Sequence, residues 1–155
     1  MSNTQFSADR RAVARPRRSN PIQALAWVYA ALFLAVVVIG YIPPLVDEQG
    51  NLFGLFHLEL KDHALHLTSA VWAALAAWIS FGAAVFYFRV FGTLYALDGV
   101  MGLLFGQGYL DGGIVFNGIT PLPWSTKIAT NLPHLVLGFT AMYIGFVLSR
   151  KYAEE

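Results

Sequence analysis

The 155-residue sequence contains no cysteine and few charges: 12% of its residues are Asp, Glu, Lys or Arg, about half the share usual in soluble domains. Without cysteine there is no disulfide, no thiolate metal site and no cysteine nucleophile. Catalytic signatures are missing as well. No Gly-x-Ser-x-Gly elbow, phosphate-binding loop, His-Glu-x-x-His pair or cluster of acidic metal ligands occurs, so an enzymatic reading has little to stand on. The net charge of +1, with the basic residues concentrated in an N-terminal arm, gives no extended face for nucleic acid.

Apolar residues are abundant, at 57%. A helix needs roughly 20 of them in a row to cross about 30 Å of hydrocarbon, and four such runs predict helices over 21–42, 62–80, 84–106 and 131–149. Pro43 and Pro44 end the first, a tight connection at Ser80, Phe81 and Gly82 joins the second to the third, and Pro133 lies in the first turn of the fourth. The expected fold is all-α: an integral membrane four-helix bundle over 21–149, preceded by a disordered basic arm (1–20) and followed by a short tail (150–155).

Orientation follows from the retention of Lys and Arg in the cytoplasm. One side holds Arg10, Arg11, Arg15, Arg17, Arg18, Arg89, Arg150 and Lys151, and the other only Lys61 and Lys127. Both termini are therefore expected to be cytoplasmic, with loops 43–61 and 107–130 outside and the cytoplasmic (inner) membrane of a bacterium as the location. The first apolar run is too long for a signal-peptide core, and no small-x-small cleavage site follows it. The arginines of the arm suit anionic lipid headgroups or act only as a topology signal.

At an offset of 68 residues the chain resembles itself. His66, Ala70, Ala73 and Ala77 fall on His134, Gly138, Ala141 and Gly145, while Ala24 and Ala31 fall on Gly92 and Gly99. These spacings trace one helical face, and small residues let helices approach closely in a membrane. The expectation is two similar hairpins with small-residue stripes facing inward and a histidine at the outer end of the second helix of each.

Two sets of residues could carry chemistry. His63 and His66 are three apart on the second helix, and His134 could approach them across the bundle. Neutral imidazoles on facing helices suit haem b or a metal ion, although histidines at helix starts also serve structurally. Asp98 falls near the middle of the third helix. A carboxylate at that depth must face the interior, protonated or hydrogen-bonded; it is either a station on a proton or ion path with the outer histidines or a structural acid bonded to a tyrosine, tryptophan or serine of a neighbouring helix. Gly92, Gly99, Gly102 and Gly106 suit close packing. Trp27, Trp78, Tyr41, Tyr87, Tyr109 and Tyr143 suit interfacial belts, with Trp72 deeper. The apolar stretch Leu52 to Leu60 is expected as an amphipathic interfacial helix or a cover over the outer mouth, with His57 at the surface.

The segments Asp62-His63-Ala64-Leu65-His66-Leu67, Asn131-Leu132-Pro133-His134-Leu135 and Arg89-Val90-Phe91-Gly92-Thr93-Leu94-Tyr95 together resemble a widespread family of bacterial four-helix membrane proteins catalogued as a domain of unknown function, over most of residues 22 to 149. The resemblance implies that the paired histidines are a hallmark, and it brings no activity with it. Where that family tends to have Asn before its first histidine, this chain has Asp62 and an additional His63. Three readings follow: a non-catalytic accessory or interaction protein whose partners are the bilayer and other membrane subunits; a haem- or metal-binding redox protein using His66, His134 and His63; or a proton-coupled channel or transporter using Asp98.

Overall fold

The computed structural model describes residues 20–153. The predicted arm, apart from Asn20, and the last two residues of the predicted tail lie outside the described residues. The described chain is mostly helical: α1 (Pro21–Ile39), α2 (Leu60–Ile79), α3 (Phe81–Phe105), the five-residue α4 (Gly113–Asn117) and α5 (Trp124–Phe146), with 3-10 turns at Pro43–Leu45 and Leu148–Tyr152. Three stretches are long and apolar enough to cross a membrane: Pro21–Ile39, Phe81–Phe105 and Trp124–Tyr152. α2 has the length, but Lys61, Asp62, His63 and His66 in its first two turns make it less apolar.

Local chemistry sets the helix ends. Asn20 caps α1 by accepting the Ile22 N–H at 2.9 Å, with Pro21 preorganising the first turn. Asp62 turns back to accept the Glu59 N–H at 2.8 Å at the start of α2. Ser80 alone separates α2 from α3, and its hydroxyl accepts the Ala83 N–H at 3.1 Å. The connection is thus shorter than the three residues expected, because a capping serine in extended conformation both ends one helix and starts the next. Ser80→Ala should lower stability by about 1 kcal/mol, seen as a lower unfolding midpoint in detergent. α3 ends where Gly106 takes the left-handed conformation at φ 78°, the usual place for glycine.

Two sequence expectations give way here. α5 starts at Trp124, not Asn131, so Pro133 lies inside the helix and not in its first turn. The added turns are too polar to read as part of a span, yet their polar groups are spoken for. Lys127 donates to the Leu104 carbonyl at 3.2 Å, closing the end of α3, Thr130 bonds the Thr126 carbonyl at 2.9 Å, and Asn131 donates to the Lys127 carbonyl at 2.8 Å. The stretch 52–60 does not form an amphipathic helix either. Asn51–Leu52 and Phe56–His57 pair as antiparallel strands β1 and β2, because Phe53 and Gly54 both adopt positive φ and the Asp47 carboxylate accepts the Gln49 and Asn51 N–H groups at 3.0 and 2.7 Å. The side chain of His57 lies outside the described residues.

Packing is closest between α3 and α5. A methyl at Gly138 would overlap the Ala96 backbone, one at Gly92 would overlap Met142 and Ala141, and one at Gly145 would overlap Arg89. In α2, Ala70, Ala73 and Ala77 are likewise buried, but Ala24 and Ala31 of α1 are exposed. α1 instead buries Ile22, Ala26, Tyr29, Ala30 and Phe33, so the small-residue match between the first and third helices does not extend to the faces they bury. Phe33, Tyr87 and Phe88 are fully buried at the centre. Tyr87 is thus a core residue and not part of a belt, while Trp27, Trp78, Tyr41 and Tyr143 are exposed. Tyr29 ties α1 to α5 by donating to the Leu137 carbonyl at 2.9 Å, and Gln23 ties it to α2 through the Ala77 carbonyl at 2.7 Å.

Candidate functional site

A cavity of about 580 Å³ lies between α2, α3 and α5, beneath the chain that follows α3 and beside Leu55, Phe56 and Leu58 of the β-hairpin segment. That volume is within the range of about 300–1,000 Å³ typical of small-molecule sites. These three residues place the stretch beside the mouth of the cavity. The cavity walls bring together His66 of α2, Asp98 of α3 and His134 of α5, three residues spread over 69 positions of sequence.

Asp98 is seven residues before the end of α3, which places it about 10 Å from that end along the axis. Its carboxylate is held by the chain itself. After Gly106 the backbone folds back over the helix, and the N–H groups of Tyr109 and Leu110 both donate to Oδ1, at 2.7 and 2.9 Å. These amides do what water would do at the surface, so the expected hydroxyl or indole partner from a neighbouring helix is not needed. Glycine at 108 is required by this approach, because a methyl there would collide with the carboxylate. The remaining oxygen, Oδ2, faces Nε2 of His134 at 3.6 Å.

His134 stands against Gly99 of α3, where there is no side chain to displace it, and its ring lies on that of Tyr95 with centroids 4.5 Å apart. Its Nδ1 is buried without a hydrogen bond of good geometry; the Thr130 carbonyl, one turn back, is its neighbour. His66 is oriented similarly and more firmly. Its Nδ1 meets the Asp62 carbonyl one turn back at 2.6 Å, which fixes the proton on Nδ1 and leaves the Nε2 lone pair free. Both imidazoles thus turn Nδ1 toward the carbonyl four residues earlier.

His63 does not join them. Its ring stacks on Tyr41 at 4.5 Å, next to Gly40, outside the cavity lining. Residues three apart differ by about 60° in direction around a helix, enough to send His63 toward α1 and His66 into the cavity. Among the described residues no group of three or more His, Asp or Glu side chains is arranged to hold a metal ion. A haem between His66 and His134 would need the Nε2 that His134 turns to Asp98.

Polar groups that sequence reasoning passed over also face the cavity. Asn131 lines it between its bond to the Lys127 carbonyl and the gap at Gly102. Gln107 lines it while donating to Thr120 at 3.0 Å. Asp111, at the rim, is paired with Lys61 at 3.4 Å and so links the start of α2 to the returning chain. The sequence signal for Gln107 and Asp111 was the glycine-rich segment around Gly106, Gly108, Gly112 and Gly113, which allows the chain to fold back on α3.

Fold and site together define a class: a helical protein with three membrane-capable helices and a cavity holding an imidazole–carboxylate pair. The chain belongs to the family described as "Domain of unknown function (DUF4383)", whose model matches residues 23–147. No curated protein and no solved structure matches it.

Proposed function

We propose that the chain is a multi-pass protein of the bacterial cytoplasmic membrane, with α2 as a fourth span, both termini cytoplasmic, and a non-catalytic role in which the outer cavity binds a small ligand and exchanges a proton with it. The charge bias supports the orientation, and the single residue joining α2 to α3 supports their forming a hairpin. One observation carries the functional reading: His66, Asp98 and His134 line one cavity, with His134 Nε2 3.6 Å from Asp98 Oδ2. Both Oδ1 positions are taken by backbone amides, so proton exchange passes through Oδ2 and the imidazole. Phe33, Tyr87 and Phe88 fill the bundle at its centre, which favours a binding site over a channel through the protein.

The test is a pH titration of the full chain in lipid nanodiscs, followed through the imidazole NMR signals. The His134 ring signals report on the carboxylate oxygen 3.6 Å from its Nε2. In Asp98→Asn the pH response of the His134 ring should differ from that of wild type, because the charged group facing its Nε2 is gone. If the His134 titration is the same in wild type and variant, the proton-exchange reading fails. A Soret band in the purified protein would replace it with the haem reading.

A second reading, as an accessory subunit of a membrane assembly, rests on a separate observation. Val115, Phe116 and Ile119, in and just after α4, are each more than 70% exposed, and Trp124 is 66% exposed. An apolar cluster of this kind suits the lipid interface or another membrane subunit. Co-purification in mild detergent that is lost on Phe116→Lys would establish the latter.

A further inference from the structure

We infer that the ligand of the cavity is a lipid-soluble phenol of the quinol type, its hydroxyl groups held by His66 Nε2 and the Tyr95 hydroxyl beside the Asp98–His134 pair. The inference rests on the proposed role of the cavity as a proton-exchanging binding site and adds the chemistry of what it binds.

Two observations and one chemical argument lead to this class. The first is the hydrogen-bonding character of the walls. The Tyr95 hydroxyl is on a residue only 7% exposed, lines the cavity and makes no hydrogen bond among the described residues. It is not one of the enclosed polar atoms left without a partner, so it opens to the cavity, where an acceptor on the ligand suits it. His66 has its proton on Nδ1, against the Asp62 carbonyl, and offers a lone pair at Nε2, so it suits a donor on the ligand. A molecule with hydroxyl groups supplies both.

The second is the route in. Thr68 of α2 and Leu94 of α3 line the cavity and are also exposed. The cavity therefore reaches the side of the bundle between α2 and α3, and not only its end. In the membrane orientation proposed above, that side faces hydrocarbon. A ligand passing there carries an apolar portion, and the walls beyond the polar groups, Phe91, Trp72 and Leu94 among them, suit a ring and the start of a tail.

The third is the acidity that a carboxylate–imidazole pair can use. An aliphatic alcohol does not release its proton to such a pair. A phenolic hydroxyl, which ionises near pH 10 in water, comes within reach when held in a hydrogen-bonded site next to a base. Binding with hydrogen bonds and proton sharing is the step inferred, and electron transfer is not part of it.

The experiment uses the full chain in nanodiscs with labelled histidine, titrated without oxygen with the short-tailed quinol decylubiquinol, and in parallel with dodecanol. Decylubiquinol should shift the His66 and His134 ring signals to saturation and leave His63, which stacks on Tyr41 outside the cavity, unmoved. Dodecanol should not reproduce those shifts. Tyr95→Phe, which keeps the stacked ring, should weaken binding by about fivefold, the effect of one neutral hydrogen bond. The inference is overturned by unsaturable shifts, by His63 moving in parallel as simple partitioning into lipid would cause, by dodecanol acting equally, or by Tyr95→Phe binding as wild type. Where Asp98→Asn changes the pH response of the His134 ring but the quinol does nothing, the ligand class fails and the proton-exchange reading stands. Saturable quinol binding with the same His134 response in wild type and Asp98→Asn has the opposite meaning.

Discussion

Asp98→Ala is expected to destabilise the protein by about 3–5 kcal/mol, the range for removing one partner from a buried charged cluster, whereas Asp98→Asn should fold. The carboxylate is 8% exposed and serves three groups: the Tyr109 and Leu110 N–H and the His134 ring. Alanine leaves two buried N–H donors without an acceptor, each costing about 1–3 kcal/mol, and removes what holds the chain after Gly106 against α3. Asparagine retains a carbonyl oxygen for both amides and alters only the group facing His134. Thermal unfolding in detergent should therefore separate the two variants by several degrees, and limited proteolysis should cut the segment 107–112 of Asp98→Ala well before that of Asp98→Asn. Equal stability and equal proteolytic resistance of Asp98→Ala and wild type would mean that the carboxylate does not hold this segment. Because the stability and the proton chemistry of Asp98 separate in these two variants, Asp98→Asn is also the right variant for the titration.

Gly138→Val should have a comparably large effect for a different reason. Gly138 lies against the backbone of Ala96, and even one methyl would overlap the Ala96 nitrogen. Backbone cannot rotate out of the way as a flexible side chain does, so α3 and α5 must separate. Overpacking typically costs about 1–3 kcal/mol, and the β-branch at the closest crossing of two long helices puts this substitution at or above the upper end. Separating these helices also moves His134 away from Asp98, so the influence of Asp98 on the His134 ring should be lost together with stability. Ala24→Leu, on an exposed face of α1, should stay within about 0.5 kcal/mol of wild type. Unfolding midpoints of the two variants in one detergent check both; if Gly138→Val and Ala24→Leu behave alike, the closeness of the α3–α5 crossing is not what holds the bundle together.

Much of this was legible from the residues in order. The lengths of the apolar runs located α1, α2 and α3 to within a few residues, because backbone groups away from water must pair within a helix and because Asn20, Ser80 and Gly106 have the side chains, or the lack of one, that end helices. The small residues at Gly92, Gly99, Gly138 and Gly145 marked a close crossing correctly, since only a missing Cβ allows it. The start of α5 was not legible. Thr126, Lys127 and Thr130 read as a polar loop, and only the Leu104 carbonyl at the end of α3, together with bonds within the helix itself, makes them helical. The strand pair at 51–57 was hidden for a related reason: apolar spacing in a short segment does not distinguish helix from hairpin, and the Asp47 side chain settles it.

By itself, then, the sequence determined the helical, membrane-compatible class and named the three residues at the centre of the site, because hydropathy, capping and the rarity of ionisable groups in apolar helices are properties of neighbours along the chain. Which histidine of α2 shares the cavity with Asp98 and His134 was decided only in three dimensions. His63 and His66 look equivalent in sequence, and a 60° difference in direction sends one to Tyr41 and the other to the cavity. The partners of Asp98 are backbone amides eleven and twelve residues ahead of it. Such amides are present at every residue other than proline and leave no mark in the sequence, except for the glycines that let the chain come back to meet the carboxylate.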